Sequence, residues 1–301
     1  MEEVPVSRRT YRYLVLPGNE PSLVTEALSR RCWWEPTDDA TYDFWWGGNG
    51  QRFPFEVLKR RRKGMLVFNK IENHREVCTK TGLARTVRDC AQLSGGFDWA
   101  PETHTFSRQD SWNEEMNKLK RSFQMHEKRA TSPTTGRVWI LKPAAMNRGK
   151  GIQIFDSMKS IESFLRSHII KESYIVQKYI ETPLLIDGRK FDIRVYVLVT
   201  SEPKVYLHEG GYIRTCSVSY NRDDVRALDS HLTNDAVQKN SSAYGAHEDC
   251  NKVSPNDGIM ALARPSIDSL SSLHPPMDLS SLFPLFCLCG SADILETTVE
   301  F

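Results

Sequence analysis

The chain's 301 residues suffice for two domains with separate cores, and its 40% hydrophobic and 26% charged fractions are ordinary for a globular protein. Forty Lys and Arg against thirty-eight Asp and Glu leave a formal charge of +2, too even for a nucleic-acid partner to be argued from charge. No eighteen-residue apolar run is present to cross a membrane, and the polar opening MEEVPVSRRT reads as neither a secretory signal nor a transit peptide. Seven cysteines lack metal-ligand spacing, with Cys287 and Cys289 an isolated C-x-C, so reduced thiols in an intracellular protein are expected.

In chain order, YRYLVLP (11–17) predicts a strand, EALSRRCWW a helix, and YDFWWGGNG (42–50) an aromatic segment. EVLKRRRKG (56–64) is strongly basic, NKLKRSFQMHEKRA (117–130) reads as a basic helix, and TSPTTGR (131–137) as an exposed connector. These signals place a smaller N-terminal α/β domain over 1–130, a central domain over 131–240 and a divergent, poorly ordered tail over 241–301. Within the central domain, RVWILKP is a strand ended by Pro143, and GIQIF is a second strand. DSMKSIESFLRSHI is a helix capped by Asp156 or Ser157, with Met158, Ile161, Phe164, Leu165 and Ile169 on one face. YIVQKYI is a third strand, KFDIRVYVLVT (190–200) is the most regular one, and KVYLHEGGYIRTCSV predicts a hairpin turning at Glu209-Gly210-Gly211. Beyond Lys252 the chain carries one arginine, no lysine, and repeated Ser-Leu and Pro, which predicts irregular structure.

The stretch WILKPAAMNRGKGIQIF (139–155) has a direct chemical reading. Lys142, at the end of a buried strand, can hold its ammonium against a phosphate. Glycines 149 and 151 let backbone N–H groups approach the same phosphate, and Arg148 and Lys150 close over it. This is strand–loop–strand, unlike the P-loop that leads into a helix; the plainer alternative is a hairpin turn with solvated lysines. On 190–200, period-two alternation puts Lys190, Asp192, Arg194 and Tyr196 on one face and Phe191, Ile193, Val195 and Val197 on the other. Charges in consecutive layers on a covered sheet line a ligand site or form a self-satisfied ladder. Gln177 and Lys178 interrupt an apolar strand that can offer main-chain groups to an adenine edge, with Lys178 reaching the ring nitrogens; an edge-strand lysine is the alternative. Arg214 can grip a carboxylate in bidentate fashion. His231, Thr233 and Asn234 suit phosphate, ribose or substrate contacts, or equally a helix N-cap.

Taken in order, WILKP…RGKGI, VQKYI…PLLIDGRKFDIRVYVLV, GYIRT and HLTN…VQK closely resemble the tubulin tyrosine ligase-like family, over roughly 139–240. A weaker likeness extends through FNKIENHREVCTKTGLART and FDWAPETHTF. The resemblance implies an α/β (α+β) fold, an ATP-grasp-like mixed sheet with helices. It implies ATP and Mg²⁺ as cofactors. Lys142, Arg148, Gly149, Lys150 and Gly151 would meet the phosphates, together with Lys80 from the weaker segment. Gln177, Lys178, Tyr179 and Ile180 would form the adenine hinge, and Lys190, Asp192, Thr233 and Asn234 would complete the nucleotide contacts. Arg194, Arg214 and His231 would face the amino-acid and acyl-phosphate end. The implied activity is ATP-dependent ligation of free glutamate or glycine to tubulin carboxylates through an acyl phosphate. The implied partners are acidic tubulin or microtubule tails, with KRRRK (59–63), Lys118, Lys120 and Arg121 as a basic surface. Cytoplasm and cytoskeleton, or cilium and basal body, would be the setting. The sequence departs from the family where metal ligands are expected: no Asp followed by Glu-x-Asn occurs after residue 240, and ADILETTVE does not supply it. A catalytically impaired tubulin-binding fragment, and a ligase for a small peptide or metabolite, are the competing readings.

Overall fold

The structure, a computed structural model, describes residues 9–253 apart from 19–20, 49–50, 57–65, 95–99, 109, 131–134, 169–171, 201–203 and 209, together with the backbone of 293–300. It is a mixed α/β molecule in two compact units. One comprises Met1–His74, Val197–Leu207 and Ser280–Leu295; the other comprises Arg75–Tyr196, His208–Leu279 and Glu296–Phe301. The basic run at 59–63, Glu209 and residues 254–292 lie outside the described residues.

The first unit carries β1 (Tyr11–Val15), α1 (Pro21–Ser29), β2 (Trp34–Pro36), β3 (Phe44–Trp46) and β4 (Val67–Phe68). Its strands form a parallel sheet in the order β2-β1-β3-β4. Aromatic burial holds it: Tyr42, Trp45, Phe53 and Phe68 form one cluster, with the Phe53 and Phe68 rings stacked at 4.0 Å.

The second unit opens with α2 (Arg75–Cys78), α3 (Lys80–Ser94), β5 (Thr103–Phe106) and α4 (Trp112–Arg129), followed by β6 (Trp139–Pro143) and β7 (Gln153–Phe155). Helix α5 (Met158–His168) and strand β8 (Tyr174–Lys178) complete this layer. The sheet is antiparallel, in the order β5-β8-β6-β7. Alternation along β6 sends Trp139 and Leu141 to one face and Ile140 to the other. On the first face Met116, Leu119 and Phe123, spaced three and four apart on α4, meet Ile161 and Leu165 of α5. The expected helix face at 158–169 is therefore the packed one, Ile169 lying outside the described residues, and the helix read as basic at 117–130 also carries a packed apolar stripe. This core joins residues on both sides of position 130.

On the opposite face sit Leu232 and, around it, Tyr220, Val225, Leu228 and Val237. The remaining elements are β9 (Leu185–Ile186), β10 (Arg189–Val199), β11 (Val205–Leu207), β12 (Tyr212–Thr215), α6 (Leu228–His231), α7 (Asp235–Gln238), β13 (Lys252–Val253) and β14 (Asp293–Glu300). Strand β10 pairs with β9, β11, β12 and β14, and β13 pairs with β12. The alternation read along β10 holds, since Phe191 and Ile193 pack with Ile186, Ile213 and Val253.

One expectation is corrected. The turn after β10 lies between Val199 and Val205, where the Thr200 N–H donates to the Lys204 carbonyl at 3.0 Å, and not at 209–211. Gly211 serves a close approach instead: a Cβ there would stand 2.5 Å from the Arg194 carbonyl oxygen. Beyond residue 253 the described backbone is that of β14.

Candidate functional site

The second unit gathers the expected nucleotide residues on the sheet face away from α4 and α5. Lys142, two residues beyond Ile140, shares that face, as does Gln177, the register partner of Ile140. The Lys142 Nζ donates to Gln177 Oε1 at 3.0 Å. Lys80, the first residue of α3, donates to the Met146 carbonyl at 2.5 Å, inside the loop that joins β6 to β7. Burial, and then the charge of Lys142, lower the Lys80 pKa, while Glu172 acts the other way. Two ammonium groups are thus close enough to repel, and each is met by a neutral oxygen.

The loop itself is built for close approach. Arg148, Gly149 and Gly151 all take left-handed backbone, with φ of 58°, 77° and 70°. A Cβ on Gly149 would lie 2.7 Å from Val237 Cγ2 and 3.0 Å from Asn234 Oδ1, so only glycine lets the loop rest on α7. A Cβ on Gly151 would meet Pro143 at 2.9 Å. Arg148 and Lys150 are exposed above this loop.

Strand β10 supplies the next layer. Asp192 faces its register partner Arg214, whose Nε donates at 2.7 Å to one carboxylate oxygen while Nη2 donates to the other. Thr233 Oγ1 donates to Asp192 at 2.6 Å, so the loop before α7 is tied to the sheet by a buried charged network. Asn234 is the N-cap residue of α7, but its side chain makes no capping bond. Lys190 is buried, with Nζ 4.6 Å from the centre of the Tyr179 ring and 3.2 Å from its hydroxyl. Tyr179 in turn contacts His231, which is 1% exposed and hydrogen-bonded through both ring nitrogens to protein groups.

Not every expected residue joins this face. Lys178, adjacent to Gln177 on the strand, points to the other side, over the Trp139 ring at 5.8 Å. It donates to the Val138 and Tyr179 carbonyls and to Glu181, and burial lowers its pKa against the effect of Glu181. Ile180 is half-buried just past the strand, and Arg194 lies opposite Tyr212. Lys118 and Lys120 are engaged with Glu114, Glu115 and Glu162, and among the described residues of the expected basic set Arg121 lies beside a shallow cleft with Lys128 and Arg129.

A family description fits this constellation: the model of the tubulin-tyrosine ligase family matches residues 59–259, two thirds of the sequence. The chain belongs to the tubulin-tyrosine ligase family. Tubulin glycylase 3B of Tetrahymena thermophila is 43% identical over 116 residues, 37% of this chain and 10% of that protein. Probable alpha-tubulin polyglutamylase Ttll1 of the same organism is 42% identical over 119 residues, 35% of this chain and 29% of that protein. Human tubulin polyglutamylase TTLL5 is 41% identical over 115 residues, covering 37% and 8%. The chain therefore spans less than a third of the length of each of these family members.

Family membership directs attention to residues the motifs did not single out. Arg189 is buried and bound to Glu248, Thr215 and the Cys216 carbonyl, closing a pair 59 residues apart with no local sign in the sequence. Gln238, fully buried, accepts from the Ser217 N–H at 2.7 Å and donates to the Asp229 and Leu232 carbonyls, fixing the loop that carries Thr233. The lysine pair at 80 and 142 fits an anion such as a polyphosphate. The described residues do not fit a divalent cation. Among them no cluster of three His, Cys, Asp or Glu could hold a metal, and both Asp192 oxygens are taken by Arg214 and Thr233.

Proposed function

We propose that this chain holds ATP on the β6–β8–β10 face and serves the ligation of glutamate or glycine to tubulin carboxylates. The observation that carries the reading is the pairing of Lys80 and Lys142 at a glycine loop, where the two cations repel and each donates its hydrogen bond to a neutral oxygen. An incoming polyphosphate relieves that repulsion. ATP supplies the phosphoryl group that activates a carboxylate as an acyl phosphate, from which the amino group of a free amino acid displaces phosphate. The chain's own part is to bind and orient: Lys142, Arg148 and Lys150 neutralise phosphate charge, and Gly149 and Gly151 present backbone N–H groups. Gln177, Tyr179 and Ile180 border the base, and Lys190 and Asp192 with Thr233 and Asn234 set the remaining nucleotide contacts. Arg194 and Arg214 stand at the end where carboxylate charge develops. Acidic tubulin tails complement Arg121, Lys128 and Arg129, and this activity belongs in the cytoplasm, on the cytoskeleton or at the cilium.

The test is calorimetric titration of the chain with ATP, beside incorporation of labelled glutamate and glycine into tubulin. Lys142→Ala should weaken ATP by tenfold or more, about the worth of one charged hydrogen bond; equal affinity removes Lys142 from the site. A second reading, a nucleotide-holding module that docks on tubulin tails without turnover, is favoured by the engagement of both Asp192 oxygens. Microtubule pelleting with no incorporation of either amino acid would select it.

A further inference from the structure

Lys190 is held by a buried relay whose direction can be deduced from its partners. His231 Nε2 lies 3.0 Å from the Asp224 carbonyl oxygen, which can only accept, so the ring proton sits on Nε2. Nδ1 then carries a lone pair, and the Tyr179 hydroxyl at 2.9 Å is the donor to it. With its proton committed to His231, the Tyr179 oxygen turns its lone pairs to the Lys190 ammonium, 3.2 Å away. We propose that His231 is a positioning residue that acts through Tyr179 to aim Lys190, and that its protonation releases Lys190 and weakens nucleotide binding.

The rest of the surroundings agree with this assignment. Around His231 stand Lys190 on β10, Tyr179 beyond β8, Tyr220 with its ring 5.4 Å away, and Asp224 and Asp229 on the segment leading into and through α6. The Tyr220 hydroxyl donates to the Glu181 carbonyl and is a second acceptor within reach of Tyr179, but the His231 Nδ1 lone pair is the stronger base and takes the Tyr179 proton. Burial lowers the His231 pKa below the usual histidine value; the hydrogen bond to Asp224 opposes that, and the charge of Lys190 reinforces it. The ring is therefore neutral at neutral pH. A proton on Nδ1 makes it a donor towards Tyr179 and places a second cation across that hydroxyl from Lys190. Whichever way the Tyr179 proton then turns, Lys190 loses its acceptor or gains a like-charged neighbour.

The proposal rests on the nucleotide reading for its functional consequence, so the experiment has two arms. In the first, ATP affinity is measured from pH 7.5 down through the His231 titration located by the second arm, for wild type, His231→Asn and Tyr179→Phe, with melting curves at each pH value. Asn keeps an acceptor near the Nδ1 position without titrating in this range, and it shares any titration of the nucleotide itself. Wild type should lose about tenfold more affinity on acidification than His231→Asn, one pKa-linked factor of ten. Tyr179→Phe should bind several-fold more weakly at pH 7.5 and show no excess pH dependence. Identical pH profiles for wild type and His231→Asn, with both folded, overturn the proposal. The second arm follows ¹⁵N resonances of the wild-type chain without nucleotide. His231 should show the Nε2–H form at pH 7.5, and its protonation should move the Lys190 Nζ resonance. A His231 titration that leaves Lys190 unmoved overturns the relay. If wild type binds no ATP at any pH, the nucleotide reading falls, and this second arm still decides the relay.

Discussion

Asp192 shows what single side chains are asked to do here. Its carboxylate is 2% exposed and tolerable only because Arg214 and Thr233 satisfy it. Arg214→Ala leaves that charge buried with one hydroxyl donor, and should cost about 3–5 kcal/mol of unfolding free energy in urea titration. Arg214→Lys should recover only part of the loss, because an ammonium cannot reproduce the two-point contact of the guanidinium. A second residue-scale prediction concerns acid. Glu102 has its pKa lowered to about 2, first by His104, whose Nε2 lies 3.4 Å from one oxygen, then by Ser122 and His126. A depressed carboxylate stabilises the fold above its unfolded value of 4.5, and that contribution disappears as pH falls through about 2. Melting temperatures measured from pH 5 to pH 2 should therefore drop more steeply in wild type than in Glu102→Gln.

At the scale of elements, α4 is the helix on which the second unit depends. Its buried stripe of Met116, Leu119 and Phe123 is the face packed on the sheet. Leu119→Ala, at a position with no exposure, should destabilise by about 2–5 kcal/mol through lost burial and the cavity left behind. Leu93→Ala on α3, where the side chain is 90% exposed, should shift stability by less than about 0.5 kcal/mol. Thermal melts of the two variants test whether burial, and not helix membership, sets the cost. The loop between β6 and β7 follows the same logic from the backbone side. Gly149→Ala puts a Cβ 2.7 Å from Val237 in left-handed backbone, and nucleotide affinity should fall more than stability does.

For the molecule as a whole, nucleotide binding should raise the melting temperature with the logarithm of ATP concentration once that exceeds Kd, as expected for a ligand that binds only the folded state. Because both Asp192 oxygens already accept hydrogen bonds from Arg214 and Thr233, removal of Mg²⁺ with EDTA should change ATP affinity by less than about tenfold, roughly 1.4 kcal/mol; a larger loss would mean that the metal has ligands other than these. Much of this was readable in the chain. Period two along 190–200, the strand–glycine loop–strand at 139–155 and the helix stripes at 117–130 and 158–168 are local patterns, because backbone geometry alone dictates which residues share a face. Adjacent strand residues must face opposite ways, yet whether Gln177 or Lys178 meets Lys142 depends on the register of β8 against β6. The Arg189–Glu248 pair and the Tyr179–His231–Lys190 relay likewise join residues whose only relation is spatial. Local sequence determined the elements and their polar and apolar sides. Packing between distant segments decided which polar groups became neighbours, because hydrogen bonds and buried charges are fixed by distance in space and leave no period along the chain.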